Sequence, residues 1–505
     1  IDKDPNAVNI AIFSLYVTLL DYLQPPEVVN FKFPPLLNKN FFVADFFDLE
    51  ADYNQILSKI KFDFIIGNPP WGKINESVTL YEDYWKKREK RETKTQKENN
   101  PDFKGKVEIK VSRKEIAQVF HIRVSDFNFD ECAFIVTSKV LYNLNANKFR
   151  KYFLENFMVR KVFELSSVRH EVFDKSNDPT DCPASILYYS YSPDKEKNKQ
   201  NVVTHISLKP NRFFELFKIF TVEKHDQKQL YQSYFMDYDW IWKVLVYGNI
   251  LDFYLIKRLI SNDTIKEITS NSKHFTVGQG LKRTDGKNKE DASLLIGRDF
   301  LDTNKNKELQ QFFIKPHKQK WNESTVGYLP KKMDLFEAPC LFIKEGTNNE
   351  FKSVSAISYI DVVFTSSITA FKAKKKKDIS ILKSICGLFN SSLFAFYMVS
   401  TGSSVGIERE QTHDEEKFSF PYNSSPNLVK LVSEIENAAK QKHEAEDPKS
   451  DEYRNAEAEY NRLLKEIDEE IYSIYKINNQ EKALIDYAHE ISIPLIKRRD
   501  THRIF

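Results

Sequence analysis

The chain has 505 residues, 41% of them hydrophobic, and its 75 Lys+Arg against 72 Asp+Glu leave a formal net charge of only +3. That length accommodates two or three domains of globular composition. The near-balance of charge excludes a uniformly basic chain, so any basic surface must arise by local segregation.

Cys132, Cys182, Cys340 and Cys386 show no CxxC or Cys/His spacing. This speaks against a metal site or a disulfide framework and for a reducing cytoplasm. No signal peptide opens the chain. It begins with Ile1, not Met, and is expected to be the later part of a longer protein. The uncharged stretch from Ser384 to Ile407 holds Asn390 and many serines and glycines, and predicts a packed helix plus loop, not a membrane span.

In chain order, Asp4-Pro5 predicts a helix start, with Val8, Ala11, Leu15 and Leu19 at helical spacing. "NFFVADFFDL" (40–49) and "KFDFIIGNPP" (61–70) predict two buried parallel strands. "ECAFIVTSKVL" (131–141), "VRKVFEL" (159–165) and "ASILYYSYS" (184–192) predict further strands, with a helix at "KFRKYFLEN". The alternation predicts a doubly wound α/β sheet whose ligands lie at the carboxyl ends of its strands. Residues 250–425 differ, with short β pieces and loops. In "TVGQG", Gly278 and Gly280 favour a hairpin turn over a phosphate cradle. Residues 426–505 are charged and periodic, a helical pair or coiled-coil arm. The expected domains are therefore 1–230, 250–425 and 426–505.

The stretch "FDFIIGNPPWGKI" (62–74) ends a strand with an amide, two prolines and an indole. A conjugated amino group such as that of adenine is a poor nucleophile, because its lone pair is delocalised into the ring. Two fixed oxygens that accept its N–H bonds favour a tetrahedral nitrogen and free that pair. The Asn68 side chain and the Pro69 carbonyl can supply them. Pro69 and Pro70 fix the backbone without competing N–H groups, and Trp71 can stack on a flat substrate. Asn68 is no base, so its role is positioning and electrostatics. The same residues also fit an ordinary turn after a strand.

Asn-Pro-Pro-aromatic after an apolar strand resembles the catalytic motif of S-adenosylmethionine-dependent amino methyltransferases. Asp2 in "IDKDPNAV" resembles their ribose-holding acid, Asp45 in "ADFFD" the contact to the cofactor's adenine, and Phe46 the residue packed on that ring. "HEVFDKSNDPTDCPASILYYS" resembles the segment that sets an aromatic residue, here Phe173, against the flipped target base. The motif order, with a long C-terminal region, resembles the gamma class of adenine-specific DNA methyltransferases, including fused restriction–modification enzymes. The resemblance implies a Rossmann-like methyltransferase domain, a mixed α+β DNA-recognition domain and a helical C-terminal arm. It implies S-adenosylmethionine as cofactor, double-stranded DNA as partner, no metal for transfer, no membrane, and a restriction subunit or a nuclease domain upstream. The family's glycine-rich loop and first strand precede the ribose acid, so they are expected to lie before Ile1.

Taken alone, Asp2 could be a helix cap or surface charge, Asp45 a cap, and Phe173 a core residue. The run "KKREKRETKTQKENN" (86–100) reads as a solvated mobile insertion or as a loop closing over DNA phosphates, and "KAKKKK" (372–377) favours phosphate contact. A cytosine-ring methyltransferase needs a cysteine nucleophile. Pro339-Cys340 carries the dipeptide but lies far beyond the catalytic half and reads as structural. An RNA or protein-glutamine methyltransferase, and a non-catalytic DNA-specificity subunit, remain as alternatives.

Overall fold

The computed structural model describes residues 1–72, 79–109, 111, 115–173, 182–283, 289–301, 308–316, 319–407, 412–445 and 447–497. Two compact units account for the chain. One comprises residues 1–163, 184–205 and 229–237; the other comprises 164–183, 206–228 and 238–505.

The first unit opens with helix α1 (Pro5–Leu20), capped by Asp4, whose carboxylate accepts the Asn6 N–H at 2.9 Å. Of the four apolar positions at helical spacing only Val8 is buried; Leu15, with Ile10 and Phe13, is exposed. Residues 40–49 form no strand, contrary to the sequence expectation. The Asp45 carboxylate accepts the Phe47 N–H at 2.8 Å and the Asp45 carbonyl accepts the Asp48 N–H at 3.1 Å. This local turn bends the chain before a ladder can extend. What remains are two isolated parallel bridges, Leu37 with Phe41 and Asp2 with Val43.

Strand β1 (Lys61–Gly67) precedes helix α2 (Thr79–Asn99), helix α3 (Ile116–Val124), strand β2 (Asn128–Thr137) and helix α4 (Asn147–Asn156). Strands β3 (Phe157–Glu164), β4 (Ala184–Tyr191), β5 (Val202–Ser207) and β6 (Gln227–Tyr231) complete a six-stranded sheet of order β1-β2-β4-β3-β5-β6. β1 is parallel to β2, and β4 is antiparallel to β2. The sheet is therefore mixed. β1 is also less covered than its apolar run suggests, because it lies at the edge: Phe64 is 66% and Ile66 79% exposed. The core beneath the sheet is aromatic. The Phe134, Phe153 and Phe157 rings all pack on Tyr189, whose hydroxyl bonds His121 Nδ1 at 2.7 Å.

The run 86–100 belongs to α2 and is not a loop. Tyr81, Tyr84 and Arg88 recur every three or four residues and are buried, so this stripe docks the helix on the unit, while Lys86, Lys87, Lys90, Lys94 and Lys97 face outward.

The second unit contains helix α5 (Ile241–Tyr247) and an antiparallel sheet of β7 (Phe275–Gln279), β8 (Cys340–Thr347), β9 (Ser353–Ser358) and β10 (Ile368–Ala373), in the order β9-β8-β10-β7. Neither glycine of "VGQG" makes a hairpin turn. Gly278 pairs with Ala370 inside the sheet, and at Gly280 a Cβ would stand 2.3 Å from the Phe364 carbonyl oxygen. Glycine is needed there for backbone approach. Helices α6 (Ile379–Phe389) and α7 (Ser392–Thr401) follow, then α8 (Pro426–Glu444), α9 (Asp451–Ile474) and α10 (Asn479–Tyr487). Leu428, Val432, Ile435, Leu463, Ile467 and Ile471 enter one hydrophobic core with Phe371 and Ile385, so the tail helices form a wall of this unit. Among the described residues no single helix is long and apolar enough to cross a membrane. α6 and α7 together are apolar enough, but they bend by 64° and most of their side chains are buried.

Candidate active site

The geometry begins with Gly67, the last residue of β1. It pairs with Phe134 of β2, and a Cβ at Gly67 would lie 2.9 Å from the Phe134 ring. The glycine lets that ring close under the end of the strand, which sets where the next residue emerges. Asn68 is exposed at the carboxyl end of β1, and among the described residues nothing hydrogen-bonds its amide. Pro69 is buried, Pro70 exposed and Trp71 half-buried. The Trp71 indole N–H points to the Ile135 carbonyl at 3.4 Å, a weak tether to β2. Gly72 then takes φ +100°, a conformation that suits glycine. Two prolines and this turn hold an open amide beside an anchored ring.

Asp2 and the Asp45 segment are neighbours through the backbone. The Asp2 N–H donates to the Phe42 carbonyl at 3.1 Å, and the Ala44 N–H to the Asp2 carbonyl at 3.0 Å. One Asp2 carboxylate oxygen accepts the Asp4 N–H at 2.9 Å; the cap of α1 is Asp4, not Asp2. The half-buried Phe46 ring stacks on Phe120 with centroids 4.9 Å apart. The Phe46 carbonyl accepts from the Tyr53 hydroxyl at 2.7 Å and from Arg123 Nε at 3.0 Å. Phe173 is half-buried in the second unit, its N–H on the Arg169 carbonyl at 3.2 Å. The stretch that follows it, 174–181, lies outside the described residues.

The sequence reading missed Asp126 and its arginines. Arg88 and Tyr84 of α2 reach the Asp126 carboxylate at 2.9 and 3.0 Å, Arg91 also reaches it, and Arg123 of α3 does so at 2.9 Å. Burial opposes charge on Asp126, but Arg88, Arg91 and Arg123 hold its carboxyl below the usual range. The only signal for this hub was the three-to-four-residue spacing of Tyr84, Arg88 and Arg91, hidden in a run of lysines.

Cys340, the rival nucleophile, starts β8 with 1% exposure, and burial pushes its thiol up to about 12. That is a core cysteine, not an activated one.

Residues 1–173 match the model of the Eco57I restriction-modification methylase family, a span that holds Asp2, Asp45, Phe46, Asn68, Trp71 and Phe173. No curated protein matches the chain. Among solved structures, the chain is similar to the type IIL restriction-modification enzyme MmeI in complex with DNA (TM-score 0.43, 12% identity, 88% of this chain and 59% of that one). It is also similar to the type IIG restriction endonuclease BpuSI (TM-score 0.31, 9% identity, 86% and 56%). A third is a modification subunit of a putative type I restriction enzyme from Vibrio vulnificus YJ016 (TM-score 0.22, 15% identity, 34% and 34%). The chain thus spans less than two thirds of the length of these proteins.

Proposed function

We propose that this chain belongs to a site-specific DNA methyltransferase that transfers a methyl group from S-adenosylmethionine to the N6 amino group of an adenine turned out of duplex DNA, within a restriction–modification system. The observation that carries this is the Asn68-Pro69-Pro70-Trp71 turn, an exposed amide displayed at the carboxyl end of β1 beside a tethered indole, inside the stretch that matches a restriction-modification methylase family.

The residues fit the cofactor. Asp2 is exposed, with one carboxylate oxygen engaged by a backbone N–H, which leaves acceptors for ribose hydroxyls. Asp45 follows the bridge to Asp2 closely and offers a carboxylate to an amino donor. Phe46 gives part of an apolar wall, its ring already stacked on Phe120. When bound, S-adenosylmethionine supplies an electrophilic methyl group.

This chain's own residues do the rest. Trp71 stacks on the base and offsets the few kcal/mol, roughly, that unstacking costs; Phe173 stays a base-stacking candidate by its sequence resemblance alone. The Asn68 side-chain oxygen and the Pro69 carbonyl accept the amino protons and hold the nitrogen lone pair toward the methyl donor. The exposed lysines of α2, and the exposed Lys374, Lys375, Lys376 and Lys377, are our candidates for phosphate contact. Lys372 is not: it is buried, with its ammonium on the Ala338 carbonyl. On this assignment the protein works in the cytoplasm.

The test is transfer of labelled methyl groups by the full-length protein to DNA, to RNA and to protein, followed by digestion and identification of the labelled product. Label in N6-methyladenine from DNA supports the proposal. Label in RNA or in glutamine moves the chain to one of the other amino methyltransferase classes. No transfer and no cofactor binding would favour a DNA-specificity subunit.

A further inference from the structure

We infer that Asp126 is a positioning residue that ties the helix following the Asn68–Trp71 turn to the Asp45–Phe46 loop, so that the catalytic and cofactor-holding parts of the site are set together. The inference rests on the methyltransferase assignment above.

Both oxygens of Asp126 are used, and they reach in two directions. One accepts from Arg88 Nη1 at 2.9 Å and from Arg91, both on α2. The other accepts from Arg123 Nη1 at 2.9 Å and from the Tyr84 hydroxyl at 3.0 Å. The same Arg123 donates through Nε to the Phe46 carbonyl at 3.0 Å, and through Nη2 to Asn54. Its guanidinium lies 4.8 Å from the Phe127 centroid and 5.5 Å from those of Phe46 and Tyr84. One planar cation therefore fixes the Phe46 backbone and flanks its ring while bound to Asp126.

The other end is equally constrained. Arg88 Nε donates to Glu92 at 2.6 Å, and Glu92 also accepts the Tyr152 hydroxyl of α4 at 2.7 Å. α2 thus cannot slide along its axis without breaking a charged contact, and Asp126 cannot follow it without pulling Arg123 from Phe46. Arg88 and Arg123 are 5% and 2% exposed, so these contacts are sheltered from solvent screening. A helix merely packed for stability needs no such link: Tyr81 and Tyr84 already bury its apolar stripe.

The test uses the full-length protein and its Asp126→Asn, Arg123→Ala, Arg123→Lys and Arg91→Gln variants. Affinity for S-adenosylhomocysteine is measured by calorimetry, kcat and the KM for each substrate by methyl transfer, and folding by thermal melting. We expect Asp126→Asn and Arg123→Ala to weaken S-adenosylhomocysteine binding on the order of tenfold and to lower kcat, while the KM for DNA stays the same. Arg123→Lys keeps the charge but not the fork, and should recover melting temperature without recovering cofactor affinity. Arg91→Gln removes one half-exposed ion pair and should fold even where Asp126→Asn does not; it should raise the cofactor KM by a smaller factor. Folded variants with unchanged cofactor affinity and unchanged kcat would overturn the inference. A wild-type protein that binds no S-adenosylhomocysteine would instead overturn the assignment on which it rests.

Discussion

Gly67 and Phe134 face each other across the β1–β2 pair so closely that a Cβ on the glycine would lie 2.9 Å from the ring. Because Asn68 is the next residue, this contact governs where its amide stands. Gly67→Ala should cost about 1–3 kcal/mol of stability through overpacking and lower methyl transfer by more than that loss explains. Combining it with Phe134→Leu should recover part of both, read as a double-mutant cycle on kcat and melting. Strict additivity would show that the ring does not set the turn.

Asn68 is exposed and among the described residues its amide bonds to nothing. Asn68→Ala should therefore change folding stability by less than about 0.5 kcal/mol while cutting kcat by about a hundredfold or more. Equal losses of stability and activity would mean the residue is part of the scaffold.

How much of this was legible from sequence depends on which interaction dominates locally. Asn68 to Trp71 could be read because prolines and a glycine after an apolar run leave few backbone options. Segment 40–49 could not, because the Asp45 side chain captures a backbone N–H and outweighs the apolar pattern. The charge of α2 masked its docking stripe, since lysines outnumber Tyr84, Arg88 and Arg91. The antiparallel direction of β4 leaves no trace in side-chain periodicity, which is the same for either direction. Gly280 looked like a turn signal, but the close neighbour that demands it, Phe364, is distant in sequence.

That neighbour makes a second stability prediction. A Cβ at Gly280 would meet backbone, the Phe364 carbonyl at 2.3 Å and the Thr365 carbonyl at 2.6 Å, which cannot rotate away. Gly280→Ala should destabilise by about 3 kcal/mol or more, seen as a lower denaturation midpoint. An unchanged midpoint would mean the sheet accommodates the methyl group.

Lys243 of α5 is 2% exposed, and burial holds its ammonium down at about 7, against the opposing pull of Glu416 and Glu164. Its ammonium rests on the Val399 carbonyl and 5.4 Å from the Tyr247 centroid. The unfolded chain keeps its proton up to about pH 10, so between pH 7 and 10 it binds more protons than the folded one. Stability should then rise with pH across that window and be lowest below pH 7. Lys243→Met should flatten the rise and add on the order of 3 kcal/mol below pH 7, less the cost of the orphaned carbonyl. Thermal melts at pH 6.5 and 9 decide it; identical pH profiles for both proteins would refute it.

Replacing Lys374, Lys375, Lys376 and Lys377 by alanine should weaken DNA binding equally for all sequences. The slope of log K against log salt should flatten by about 0.9 for each phosphate that is no longer neutralised. An altered target sequence with an unchanged slope would make these lysines base readers.

The most direct test of the central claim is to express the complete gene, and its Asn68→Ala version, in a host without adenine methylation and to read the host DNA base by base. Methylation is predicted on the adenine N6 of one short motif, present with the wild type and absent with the variant. Unmodified adenine throughout, from a soluble wild-type protein that binds S-adenosylmethionine, would contradict it.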